Sequence, residues 1–174
     1  MKQYRILFLL GKDRPGIVDE VSSILFEGGA NLEDSRMAAM GGCFSFMALF
    51  SCDRNQIDII ESGLAELEEK GFALSLHEAE DPAATPAQPE LPMKFEVMAM
   101  DHPGIVNRVV RVLHNHNVNI EAINTQVIRA PYSGAPIFNM HLEAGVPPDT
   151  SVAKVKNDLM ELATAMNLDL NFQI

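Results

Sequence analysis

Asp13-Arg14-Pro15-Gly16-Ile17-Val18 returns 88 positions later as Asp101-His102-Pro103-Gly104-Ile105-Val106, with five of the six residues identical. Asn31-Leu32-Glu33 returns at the same offset as Asn119-Ile120-Glu121, so nothing is inserted or lost over the stretch between the two matches. A repeat of this kind constrains the fold more than any composition figure, because both halves must solve one packing problem with one order of elements. The chain has 174 residues, which leaves each copy at the small end of what folds around its own core.

The organisation expected is a first domain at 1–78, a linker at 79–92 and a second domain at 93–174. The linker holds Pro82, Pro86, Pro89 and Pro92 among Ala, Glu and Gln and shows no apolar periodicity. That composition favours extended, semi-rigid chain over a floppy coil. Inside each copy, short apolar runs at 4–10 and 95–100 predict largely buried strands. Ile17, Val18, Val21, Ile24 and Leu25, and then Ile105, Val106, Val109, Val110 and Leu113, mark one face of a helix. Gly28-Gly29 and Asn117 supply the stops. Gly41-Gly42 joins two strands at 32–40 and 43–51 as a hairpin. In the second copy, residues 130–135 form a longer turn between strands at 120–128 and 137–143. Ile57, Ile60, Leu64, Leu67 and Val152, Val155, Leu159, Leu162 share one 3-4-3 spacing, the mark of a second amphipathic helix. Phe72, Leu74, Leu76 and Leu168, Leu170, Phe172, Ile174 alternate with polar residues as strands buried on one face.

Each copy therefore reads β-α-β-β-α-β. The fold class expected is α+β, two ferredoxin-like units, each an antiparallel four-stranded sheet with two helices on one face. The other face of so small a sheet calls for a partner, whether the second unit or another chain, so a homo-oligomer is expected.

The repeated turn lies between the first strand and the first helix. Pro15 and Pro103 suit the first turn of a helix, and Gly16 and Gly104 let a ligand approach the backbone. The free N–H groups of Gly16, Ile17 and Val18, with the helix dipole behind them, favour a carboxylate. Asp13 and Asp101 carry the opposite charge, and Asn31 and Asn119 offer a donor and an acceptor. A small zwitterion satisfies this set. The competing reading is structural: the Asp carboxylate caps its own helix, and a duplicated fold has kept its turns.

With this turn and the Asn beyond the helix, the unit resembles the ACT domain over nearly the whole chain. ACT domains characteristically bind amino acids at interfaces between paired domains. Ser35-Arg36-Met37-Ala38, Gly41-Gly42-Cys43-Phe44 and residues 130–138 resemble, more narrowly, tandem-ACT transcriptional repressors of glycine cleavage. That resemblance implies no catalytic domain, a glycine effector rather than a cofactor, and repression through a DNA-binding activator protein. Its binding residues carry over to Asp13, Pro15, Gly16, Ile17 and Asn31, and to Asp101, Pro103, Gly104, Ile105 and Asn119. The copies differ where Arg14 faces His102 and where Gly28-Gly29 faces His116-Asn117, so unequal sites are expected.

Charge argues against direct contact with nucleic acid or anionic lipid. The net charge is −11, and neither half hides a basic module. Residues 1–87 hold seven basic against fifteen acidic residues and the remainder six against nine. No recognition helix flanked by Lys and Arg is present. Glu61, Glu66, Glu68 and Glu69 read as a solvated helix face, or as a surface for a basic protein. No nucleophile with a partnered base and no metal motif appears, so an enzyme is not expected. Cys43 and Cys52 read as small apolar strand residues, and the ten methionines read as core filler. Met37, Met40 and Met47 form an alternative contact surface. Two cysteines without a Cys-x-x-Cys pair and an apolar run at 6–10 too short for a signal peptide point to the cytoplasm. Two other readings stay open: a module that binds no ligand and serves interaction or dimerisation, and a regulatory subunit of an amino-acid enzyme.

Overall fold

A computed structural model describes residues 2–84 and 89–173. The expected linker lies in part outside the described residues, as does the last strand residue, Ile174. The first unit runs β1 (Lys2–Lys12), α1 (Ile17–Glu27), β2 (Asn31–Met40), β3 (Cys43–Asp53), a 3₁₀ turn (Arg54–Gln56), α2 (Ile57–Glu69) and β4 (Ala73–Ala79). The second runs β5 (Leu91–Met100), α3 (Ile105–Asn115), β6 (Asn119–Arg129), β7 (Pro136–Val146), α4 (Val152–Met166) and β8 (Asp169–Gln173). The chain divides into two compact units between residues 86 and 87.

Each unit is a four-stranded sheet, in the order β2-β3-β1-β4 and β6-β7-β5-β8, with every pairing antiparallel. This is the α+β, ferredoxin-like arrangement. Two strands start earlier than their apolar runs, because backbone pairing continues through polar residues. Lys2 pairs with Asp53, and β5 begins at Leu91, inside the stretch read as linker. Gly41 (φ 57°) and Gly42 (φ 81°) form a two-residue turn of the I′ kind, which needs positive φ at both positions. α1 and α3 end alike: Ala30 N–H donates to Leu25 O at 2.8 Å and Val118 N–H to Leu113 O at 3.0 Å.

One core lies under each helix pair. In the first unit Leu7, Phe46, Phe50, Val21, Ile60 and Leu64 are buried together. Phe95, Val97, Met140, Val109, Val155 and Leu159 take the same places in the second. Both cores come from the periodicities above, one strand face and the i, i+4 stripe of each helix.

The outward faces of the two sheets differ. The first unit places Ile6, Phe8 and Leu10 of β1 beside Met47 and Leu49 of β3, with Phe8 41% and Leu10 53% exposed. At matching register the second unit replaces Ile6 and Leu49 by Lys94 and Glu143, paired at 2.9 Å. It replaces Phe8 and Met47 by Glu96 and His141, 3.4 Å apart.

Candidate functional site

The repeated turn is built from its ends inward. Asp13 N–H donates to Gly42 O at 2.9 Å, and Asp101 N–H to Pro136 O at 3.0 Å, tying the end of each unit's first strand to the neighbouring strand pair. Gly16 has φ 85° and ψ −2°, and Gly104 φ 98° and ψ −2°. Those are the angles of the third residue of a type II turn, whose second residue is best filled by proline, here Pro15 and Pro103. The prolines consequently precede the helices rather than opening them: α1 starts at Ile17 and α3 at Ile105. Glu20 N–H makes the first backbone bond of α1, to Gly16 O at 3.0 Å, and Arg108 N–H repeats it to Gly104 O. The N–H groups ahead of these have no intrahelical acceptor.

No side chain caps either helix, so the Asp13 and Asp101 carboxylates do not close their own helix starts. Both aspartates are exposed. A Cβ placed on Gly16 or Gly104 would meet nothing within 4 Å, so both corners are open to solvent. Ile17 and Ile105 are each only 2% exposed and point into the cores. Only their backbone groups can serve a ligand.

The structure does not bring Asn31 or Asn119 to the turn of its own unit. β2 runs from Asn31, opposite Ser51, to Met40, opposite Cys43, and the turn hangs from the Met40 end through Gly42. Asp13 and Asn31 thus sit at opposite ends of the sheet, on the order of 30 Å apart for a strand of this length. Asn119 and Asp101 repeat the separation, since Asn119 pairs with Gly145 and Arg129 with Pro136. A free amino acid is several times shorter than this span.

Asn31 belongs to a different constellation. The Glu33 carboxylate accepts from Ser51 Oγ at 2.6 Å, from Lys2 Nζ at 3.1 Å and from the Asn31 side chain. These donors, Ser51 first, hold its pKa at about 2. Glu33 is the extra residue of a β-bulge, as the pairing register slips between Leu32 and Asp34. Glu121 occupies the same bulge in the second unit. The repeated Asn-x-Glu was the sequence signal for this feature. The surroundings are not repeated: Glu90 stands in the place of Lys2 and Gly145 in the place of Ser51.

Four surface depressions formed by described residues lie elsewhere. The largest of these four, about 620 Å³, is lined by Lys2, Gln3, Arg5, Arg54, Ile57, Asp58 and Glu78. Within it Arg5 donates to Gln3 Oε1 at 2.6 Å, Tyr4 O at 3.0 Å and Glu78 Oε1 at 3.3 Å. The next, about 460 Å³, lies between α4 and β8 around Met160, Asn167 and Asp169. Depressions of about 200 and 190 Å³ lie over Glu96 and Asn171 and over Ile6 and Met47. None of these four includes a residue of the two turns.

Other expectations meet mixed outcomes. Met37, Met40 and Met47 are 43%, 74% and 42% exposed and are not core filler, whereas Met93 and Met140 are buried. Cys52 is buried and its thiol pKa is raised, mainly by that burial, while Cys43 is exposed beside Met40. Among the described residues no group of three His, Cys, Asp or Glu side chains could hold a metal ion. No described helix is long and apolar enough to cross a membrane.

Comparison with known proteins gives a consistent picture. ACT-domain family models match residues 3–77 and 95–159. The glycine cleavage system transcriptional repressors of Escherichia coli (strain K12) and Shigella flexneri are each 29% identical over 168 residues, covering 95% of this chain and 87% of theirs. The crystal structure of an unknown protein from Galdieria sulphuraria superposes with a TM-score of 0.83 at 28% identity, covering 99% of this chain and 98% of that one.

Proposed function

The chain belongs to the ACT-domain family, one unit in each half, and we propose that it is a non-catalytic regulator that senses a small amino acid, glycine, and represses the glycine cleavage system through a DNA-binding protein partner. The observation that carries this reading is the reach of the match to the E. coli repressor, which spans both ACT units and 95% of the chain. A net charge of −11 suits action through a protein rather than by gripping DNA.

Glycine offers only its two termini for recognition, and each turn supplies one group for each. The N–H groups at the start of α1, beyond Gly16, receive the carboxylate, and Asp13 attracts the ammonium. Pro15 and Gly16 hold the turn that exposes those donors, and Ile17 anchors it in the core. Asp101, Pro103, Gly104 and Ile105 do the same in the second unit. Asn31 and Asn119 stand outside the turn of their own unit. Glycine regulates only insofar as it binds two arrangements of the protein with different affinity.

Calorimetric titration with glycine, serine and alanine tests the reading. A saturable heat with glycine is expected, lost in Asp13→Asn or Asp101→Asn at the occupied turn. A flat trace across the panel overturns it and leaves an interaction module without an effector.

A further inference from the structure

The outer surfaces of the two helix layers carry opposite charge on one shape. α1 and α2 together hold eight acidic residues and no Lys or Arg. α3 holds Arg108 and Arg111 and no acid, and α4 balances Lys154 and Lys156 against Asp158 and Glu161. The inversion occurs at equivalent positions: Glu20 becomes Arg108 at the offset of 88, and Glu61 becomes Lys156 on the shared 3-4-3 frame. Asp19 and Glu27 become the neutral Asn107 and Asn115.

Local contacts consume few of these charges: Lys156 Nζ sits over the Phe172 ring, 4.7 Å from its centroid, and Glu20 is engaged as well. Glu20 is bound by Arg14 and Lys70, while the other carboxylates of α1 and α2 have no ion-pair partner among the described residues. Arg108 and Arg111 likewise have none among the described residues. Phe26, Ile59 and Val18 stand 80%, 59% and 41% exposed within the acidic layer, and Met160 and Val106 stand 53% and 37% exposed on the basic one. An exposed aromatic ring is a seat for a guanidinium.

We propose that the α1–α2 layer of one copy of this chain docks on the α3–α4 layer of a second copy, with Phe26 and Ile59 together at one end of the contact and the charges along the rest of it. Helices of 11 to 15 residues are roughly 16–22 Å long, and two side by side are about 20 Å wide. One such contact covers roughly 400 Å² per partner, and two reciprocal ones approach the ~800 Å² per chain typical of a specific interface. Two such contacts between two copies reach an area that a single one does not.

Salt separates this contact from any other. Two chains of net charge −11 repel, so association through an apolar surface strengthens as salt screens the repulsion, whereas association through opposed helix layers weakens. Sedimentation of the whole chain is expected to show a dimer whose affinity falls at least tenfold between 50 and 500 mM NaCl. Replacing five of the eight acids, by Glu27→Lys, Asp58→Lys, Glu61→Lys, Glu68→Lys and Glu69→Lys, makes both layers basic, and Arg108→Glu with Arg111→Glu makes both acidic. Each of the two charge-reversed chains, folded by circular dichroism, is expected to be monomeric alone, and a one-to-one mixture is expected to dimerise again. A monomer at 100 µM wild-type chain, a dimer tightened by salt, or a mixture that stays monomeric overturns the proposal. Glycine titration reads the turns independently of all three results.

Discussion

Lys94 and Glu143 face each other across β5 and β7 at 2.9 Å, in the register positions that Ile6 and Leu49 fill in the first unit. Both partners are about half exposed, so the pair contributes little, at most about 0.5 kcal/mol of coupling. A double-mutant cycle with Lys94→Ala and Glu143→Ala, read by urea unfolding, is expected to give that small value. The paired swap Lys94→Ile with Glu143→Leu is expected to leave the second unit folded.

Glu33 ties stability to acid. Its folded pKa, about 2, lies below the ordinary carboxylate value, so the ionised form is favoured by folding. Its contribution is complete above about pH 4.5 and disappears as pH falls toward 2. Carboxyl NMR of the whole chain is expected to place the Glu33 midpoint near 2, and Ser51→Ala, which removes the foremost donor, is expected to raise it. Glu33→Gln is expected to flatten the stability profile over the same window.

Gly16 and Gly104 need a positive φ. Gly16→Ala and Gly104→Ala are each expected to destabilise their own unit by about 1–2 kcal/mol through backbone strain alone, because a Cβ meets no neighbour. The variant at an occupied turn is also expected to weaken the glycine signal in calorimetry, and the variant at an empty turn to leave it unchanged.

The helix pairs approach each other differently. His116 Nε2 lies 2.7 Å from Asp158 Oδ2 and joins the end of α3 to α4, whereas Gly28 and Gly63 stand at those positions in the first unit. A Cβ on Gly63 would lie 2.8 Å from Ile24 Cγ2. Gly63→Val is expected to cost about 1–3 kcal/mol by overpacking, seen as a lower urea midpoint. Asp158→Ala is expected to cost only about 1 kcal/mol, because Asp158 is partly exposed.

Phe50 and Phe95 are the largest fully buried side chains of the two cores. Phe50→Ala and Phe95→Ala are each expected to cost about 3–5 kcal/mol in hydrogen-exchange protection of their own unit.

The buried residues were legible because a core writes its period into the chain: Ile60, Leu64 and Leu67 repeat as Val155, Leu159 and Leu162, and each set packs on its sheet. Strand ends were less visible. Pro92 looks like linker, yet it lies in β5 opposite Gly145 where the described part of β8 has not begun, since β8 pairs only from Lys94 onward. A proline is tolerated on a strand with a single neighbour. Distance in the site was hidden for a plainer reason. Fifteen residues separate Gly16 from Asn31, but an 11-residue helix fills most of them and carries the chain back along the sheet, so short spacing produces wide separation. The open sheet faces follow from alternation once the register is known, and the acidic helices were visible as runs of glutamate. That their counterparts are basic emerges only when the two copies are laid over one another.

Because Ile6, Phe8, Met47 and Leu49 have polar counterparts in Lys94, Glu96, His141 and Glu143, the halves are interchangeable as architecture and not as surfaces. A chimera of two first halves would carry two greasy sheets on an acidic body, and a chimera of two second halves none. The duplication has kept its interiors alike and divided the chain's outward labour, so neither half can stand in for the other.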